Sequence, residues 1–83
     1  LSNQPNPFDA GTVVTYSLDQ SGHIELEVYS MLGDVVLYHD AGTQQPGSYS
    51  LPFSSDRLPN GIYICRLKVN GTVVNSTKMV LAR

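Results

Sequence analysis

Apolar and polar residues alternate along almost every run of this chain, and turn residues break the alternation about every ten positions. A period of two sends successive side chains to opposite faces of an extended backbone, whereas a helix needs a period near 3.6. His23–Ser30 is the cleanest run, with Ile24, Leu26 and Val28 on one face and Glu25 and Glu27 on the other. Thr12–Leu18 aligns Val14, Tyr16 and Leu18, and Ser48–Phe53 aligns Tyr49, Leu51 and Phe53. Gly61–Val69 sets Tyr63, Cys65, Leu67 and Val69 against Arg66 and Lys68. In Asp34–Asp40 the core side falls to Val36 and Tyr38, opposite Val35, Leu37 and His39. Thr72–Ala82 is a last, less regular strand. No run of ten residues carries a helical period, so the pattern predicts an all-β chain.

The punctuation predicts how the strands connect. Ser21-Gly22 and Leu32-Gly33-Asp34 suit hairpin loops with glycine at positive φ, and Pro46-Gly47 suits the central pair of a type II turn. Asn70-Gly71 is the strongest short hairpin signal. Asn3–Phe8 holds two prolines, which cannot donate to a central ladder, so it reads as an extended edge segment. Counting it gives an antiparallel β-sandwich of about seven strands.

Eighty-three residues make one domain, residues 1–83, and 41% hydrophobic content supplies one core with little room for a buried cofactor. A single cysteine rules out an internal disulfide and any CxxC site. No apolar run approaches the length of a membrane span, so no membrane insertion is expected. The chain opens at Leu1 without a basic-then-apolar leader, which predicts a module excised from a larger secreted protein.

Charge is divided by position. All seven acids precede residue 57, and all five bases (Arg57, Arg66, Lys68, Lys78, Arg83) lie at or after it. In one reading Glu25 and Glu27 face Arg66 and Lys68 across neighbouring strands. In the other, a basic terminal hairpin is offered to a partner. Five scattered bases form no stripe for phosphates, so nucleic acid is excluded as a partner.

The sequence carries no recognisable reactive constellation. Cys65 falls on an apolar strand face and reads as a small buried hydrophobe. There is no GxSxG elbow, and neither His23 nor His39 stands in a recognisable motif with a nucleophile. Two histidines and one cysteine show no zinc-ligand spacing. A loop calcium site using Asp19, Asp40 or Asp56 lacks any DxDxDG run. The expectation is no cofactor, no metal and no enzymatic activity. Glycan binding needs exposed flat aromatics; the chain has no Trp, and of its tyrosines Tyr29 alone falls outside the predicted core faces. Two glycosylation sequons occur, at Asn70 and Asn75, the first better explained as a turn.

The order of these pieces resembles the C-terminal sorting domain of the type IX secretion system of Bacteroidota-type bacteria. It is similar also to the Ig-like domain of flagellar hook-capping proteins. The matching stretches are Pro5-Asn6-Pro7-Phe8, Thr12–Leu18, Gly22, Ile24–Gly33, Pro46-Gly47-Ser48-Tyr49, Leu58–Tyr63 and Lys78–Arg83. Phe53 stands where many family members have Trp, which keeps an aromatic in the core. The resemblance implies that the all-β sandwich is Ig-like, and that it is a non-catalytic secretion signal carrying an N-terminal cargo domain in the same chain. The cargo would transit the periplasm, cross the outer-membrane translocon, and reach the cell surface or the medium, often after cleavage by a surface sortase. Carried onto this sequence, recognition by translocon or sortase falls on Pro46, Gly47, Gly61, Tyr63, Lys78, Val80, Leu81 and Arg83. A basic terminal hairpin suggests docking by edge-strand addition. The alternative is a structural Ig-like accessory or assembly module of an extracellular or flagellar protein.

Overall fold

The computed structural model describes residues 1–54 and 58–83. Asp56 and Arg57, candidates for a cation loop and for the charge division, lie outside the described residues. Among the described residues seven strands follow in order: β1 (Ser2–Gln4), β2 (Gly11–Leu18), β3 (Gly22–Ser30), β4 (Val35–Gln44), β5 (Gly47–Ser54), β6 (Gly61–Val69) and β7 (Thr72–Leu81). They form a three-stranded sheet, β1-β2-β5, and a four-stranded sheet, β4-β3-β6-β7, with every strand pair antiparallel. Sequential hairpins within one sheet and crossings to the other give the β-sandwich that the alternation predicts, of the Ig-like kind that the resemblance implies.

The alternating faces meet as the core. Val14, Tyr16 and Leu18 of β2 are buried with Ile24, Leu26 and Val28 of β3 and Tyr63, Cys65 and Leu67 of β6. Phe53 closes the three-stranded side, and Phe8 meets it edge-on, with ring centroids 5.9 Å apart. Burial of each such side chain contributes on the order of 1.5–3 kcal/mol, which is what alternation supplies to a two-layer fold. Asn70 (φ 52°) and Gly71 (φ 82°) both take positive φ in the two-residue turn between β6 and β7, as the hairpin signal requires.

Four expectations need correction. Asn3–Phe8 is not one edge strand: β1 covers Ser2–Gln4, and the segment then turns through Pro5 and Pro7, each after a cis peptide bond. Thr12 holds that turn by donating its hydroxyl to the Pro5 carbonyl at 2.9 Å. Tyr38 is exposed, not in the core. Register shifts opposite Ile24/Glu25 and Val28/Tyr29 each insert an extra residue into β4. Val36 and Leu37 therefore both pack inward, and Tyr38 turns out to donate its hydroxyl to Glu25. Ser21-Gly22 closes no hairpin, because β2 and β3 lie in different sheets, and Gly22 has no positive φ; close approach governs it, because an added Cβ would meet Val69 Cγ1 at 2.9 Å. Gly47 does take a positive φ, but at 149° it opens β5 and does not sit near the type II value of about 80°.

Candidate functional site

The terminal strand β7 brings most of the predicted recognition residues to one place. Gly61 pairs with Leu81, Ile62 with Val80, Tyr63 with Met79 and Ile64 with Lys78. Pro46 and Gly47 are not part of this group. Gly47 pairs with Leu18 at the end of the sandwich where β3 begins, whereas Gly61 and Leu81 lie where β3 ends. The eight predicted residues are thus divided between opposite ends of the domain.

Each remaining residue has a definite surrounding. Met79 and Leu81 point inward and are essentially fully buried. Tyr63 is buried as well, and its hydroxyl donates to the Pro59 carbonyl at 2.6 Å, four residues upstream. That contact is a tyrosine corner, in which the ring fills the core and the hydroxyl fixes the loop entering the strand. Gly61 (φ 156°) begins β6 directly after that loop. No heavy atom lies within 4 Å of the position that a Cβ would take, so backbone conformation and not space favours glycine. Lys78 is exposed, and its ammonium enters no ion pair among the described residues.

Two asparagines hold the strand's outer edge and its end. Asn6 donates from Nδ2 to the Lys78 carbonyl at 3.0 Å and accepts the Val80 N–H at Oδ1 at 2.9 Å. Phe8 continues the contact in parallel, its N–H donating to the Val80 carbonyl and its carbonyl accepting from the Ala82 N–H, both at 2.9 Å. Pro5–Phe8 thus lies along the strand edge as a strap. Asn60 repeats the device on Arg83, whose N–H donates to Oδ1 at 3.0 Å while Nδ2 donates to the Arg83 carbonyl at 3.3 Å. The Arg83 guanidinium donates to the Leu58 carbonyl. A side-chain amide carries one acceptor and two donors, so it can substitute for a peptide group along a strand edge. Neither asparagine carries a sequence signal of its own, although both stand inside the stretches Pro5–Phe8 and Leu58–Tyr63.

One ion pair of the four-stranded sheet joins the acidic and basic parts of the chain. Lys68 lies 3.8 Å from Glu27, and the Arg66 guanidinium sits 4.5 Å from the centre of the Tyr29 ring. His23 and Asp40 are 2.7 Å apart. The Gly42 N–H, and then the His23 ring, hold the Asp40 carboxyl below its usual range. Glu25 as hydrogen-bond acceptor pushes the Tyr38 hydroxyl up to about 12.

The tyrosines of the two sheets have different surroundings, and Tyr38 is exposed on β4. Tyr16 and Tyr63 are buried, and Tyr49 is half-buried and stacked on Tyr16, with ring centroids 5.5 Å apart. The Tyr16 hydroxyl donates to Gln44 at 2.7 Å and the Tyr49 hydroxyl to the Gln45 carbonyl, which ties the stack to the β4–β5 turn. Cys65 is a buried free thiol, and burial pushes it up to about 11. Among the described residues no three His, Cys, Asp or Glu side chains converge as metal ligands.

A family model described as secretion system C-terminal sorting domain matches residues 4–82. No curated protein and no solved structure matches the chain.

Proposed function

The chain belongs to the secretion system C-terminal sorting domain family, and from that membership we propose that it directs a cargo at its N-terminal side across the outer membrane. It does so without catalysis of its own, as a folded signal read by the type IX translocon and, after passage, by a surface sortase. The cargo passes through the periplasm before reaching the surface. The observation that carries this reading is the family match over nearly the whole chain, strap and terminal strand included. The Pro5–Phe8 strap lies against Lys78–Ala82, so the two ends of the matched region form one structural unit.

The test is transport of a fusion. Residues 1–83 are joined to a periplasmic reporter in a host with the type IX machinery, and the reporter is located by surface protease digestion and fractionation. The expected result is reporter at the surface or in the medium. Reporter held in the periplasm, with the domain intact, rejects the reading in favour of an accessory module.

A further inference from the structure

The terminal strand has four sides, and three are already occupied. One edge pairs with β6, the other carries Asn6 and Phe8 along Lys78–Ala82, and Met79 and Leu81 fill the core beneath. Docking by strand addition at Lys78–Ala82 would have to expel the strap. What the strand presents to solvent is its outer face, Lys78 and Val80.

The register defines what surrounds them. Val80 lies opposite Ile62, and Lys78 opposite Ile64, which faces Tyr29, which faces Val35. These two rows bring Ile62, Ile64, Val80, Tyr29 and Val35 together as one apolar area on the outside of the four-stranded sheet. Ile62 is 40% exposed and Val35 51% exposed, and no core packs over them. A contiguous patch of this kind, unlike scattered single residues, marks an interaction site. Its border carries two cations at the β6–β7 side, while Asp34 precedes Val35 at the opposite end of the row. Lys78 ends one row with no ion pair among the described residues, and Arg66 on Tyr29 borders it. The neighbouring carboxylate, Glu27, is engaged by Lys68.

We propose that this outer face, centred on Ile62, Ile64 and Val80, is where a protein partner docks, with an apolar centre of its own and a carboxylate placed against Lys78. The proposal rests on the sorting reading and changes its geometry: the partner reads a face of the folded domain and leaves the strap in place. Apolar contact supplies affinity at the centre, and the cation at the rim sets orientation and encounter rate.

The test uses the same reporter fusion. Ile62→Glu and Lys78→Glu are compared with Thr15→Glu and Ser50→Glu, exposed positions paired on the three-stranded sheet. Circular dichroism and melting of each purified domain verify folding, and Ile62→Thr, which keeps a β-branched side chain, replaces Ile62→Glu if that variant does not fold. Expected is a loss of surface reporter of about tenfold for Ile62→Glu and Lys78→Glu, a smaller loss for Ile62→Thr, and none for the two controls. Export of the folded Ile62 and Lys78 variants at the unsubstituted level overturns the proposal while leaving the sorting reading in force. Failure of the unsubstituted fusion to export removes both. A purified domain that sediments as a dimer, and as a monomer after Ile62→Glu, assigns the face to a second copy and overturns the proposal too.

Discussion

The Val80 N–H donates to the side-chain oxygen of Asn6 at 2.9 Å, across a sequence separation of 74 residues. Through this bond the first turn of the chain closes the last strand's edge. An uncovered β edge is a template for pairing with other chains, and one amide group with two neighbouring backbone contacts from Phe8 removes it along Lys78–Ala82.

Asn6→Ala removes both side-chain bonds to the strand. The expected cost is about 1–2 kcal/mol in urea unfolding, because the released groups lie at the surface and regain water. Hydrogen exchange at the Val80 amide is expected to accelerate while that of Leu26 in β3 changes only with global stability. Asn6→Asp keeps the acceptor for Val80 but turns a carboxylate toward the Lys78 carbonyl, so it is expected to be no better than alanine at neutral pH. Unchanged exchange at Val80 in Asn6→Ala would show that the strap does not protect the edge.

Tyr63→Phe separates the ring from the hydroxyl. The ring stays in the core, and the Pro59 carbonyl loses its donor. A loss of about 1 kcal/mol is expected, which in a domain of this size lowers the melting temperature by about 4–8 °C. Export of a Tyr63→Phe fusion well below that temperature is expected to be normal, since the side chain is buried and structural. A strong export defect in a variant that melts normally would instead make the hydroxyl a contact.

The fold is largely legible in the sequence because burial of one strand face and period-two alternation are the same fact. Ile24, Leu26 and Val28, and Tyr63, Cys65 and Leu67, all lie where alternation puts them. Tyr38 is not legible, because a bulge changes the face without leaving a mark in composition, and two bulges fall on β4. The placement of the candidate recognition residues is legible only in part. Lys78 and Val80 do reach the surface of the terminal strand, but Leu81 and Tyr63 are in the core, and Pro46 and Gly47 stand at the far end. The roles of Asn6 and Asn60 depend on contacts between distant segments, which no local sequence pattern records.

Cys65 gives the domain an alkaline limit. Burial raises the thiol from an ordinary value of 9.0 to about 11, so between those values the unfolded chain releases a proton that the folded chain keeps. Stability is therefore present in full below pH 9 and falls as pH rises toward 11. The loss attributable to this group is on the order of 2 kcal/mol. Unfolding free energies measured across this range are expected to fall less steeply in Cys65→Ala, which is less stable at neutral pH because it leaves a small cavity. Equal slopes for the two proteins would show that the thiol does not titrate in this way.

Gly61→Ala tests whether the start of β6 depends on backbone conformation. At φ 156° an L-residue is strained although nothing lies within 4 Å of the added methyl, so the cost arises from the chain itself and not from a clash. About 1–2 kcal/mol of destabilisation is expected in chemical unfolding. Relief of the strain would displace Gly61 from its pairing with Leu81 and move the adjacent Asn60, which holds Arg83. Faster amide exchange at Arg83 should therefore accompany the loss of stability. Gly22→Ala is the contrasting case: its φ is ordinary, and the methyl meets Val69 Cγ1 at 2.9 Å and the Asn70 side chain at 3.2 Å, so its effect should appear at the β6–β7 turn. A Gly61→Ala domain within about 0.5 kcal/mol of the unsubstituted protein would show that alanine is accepted there at no backbone cost.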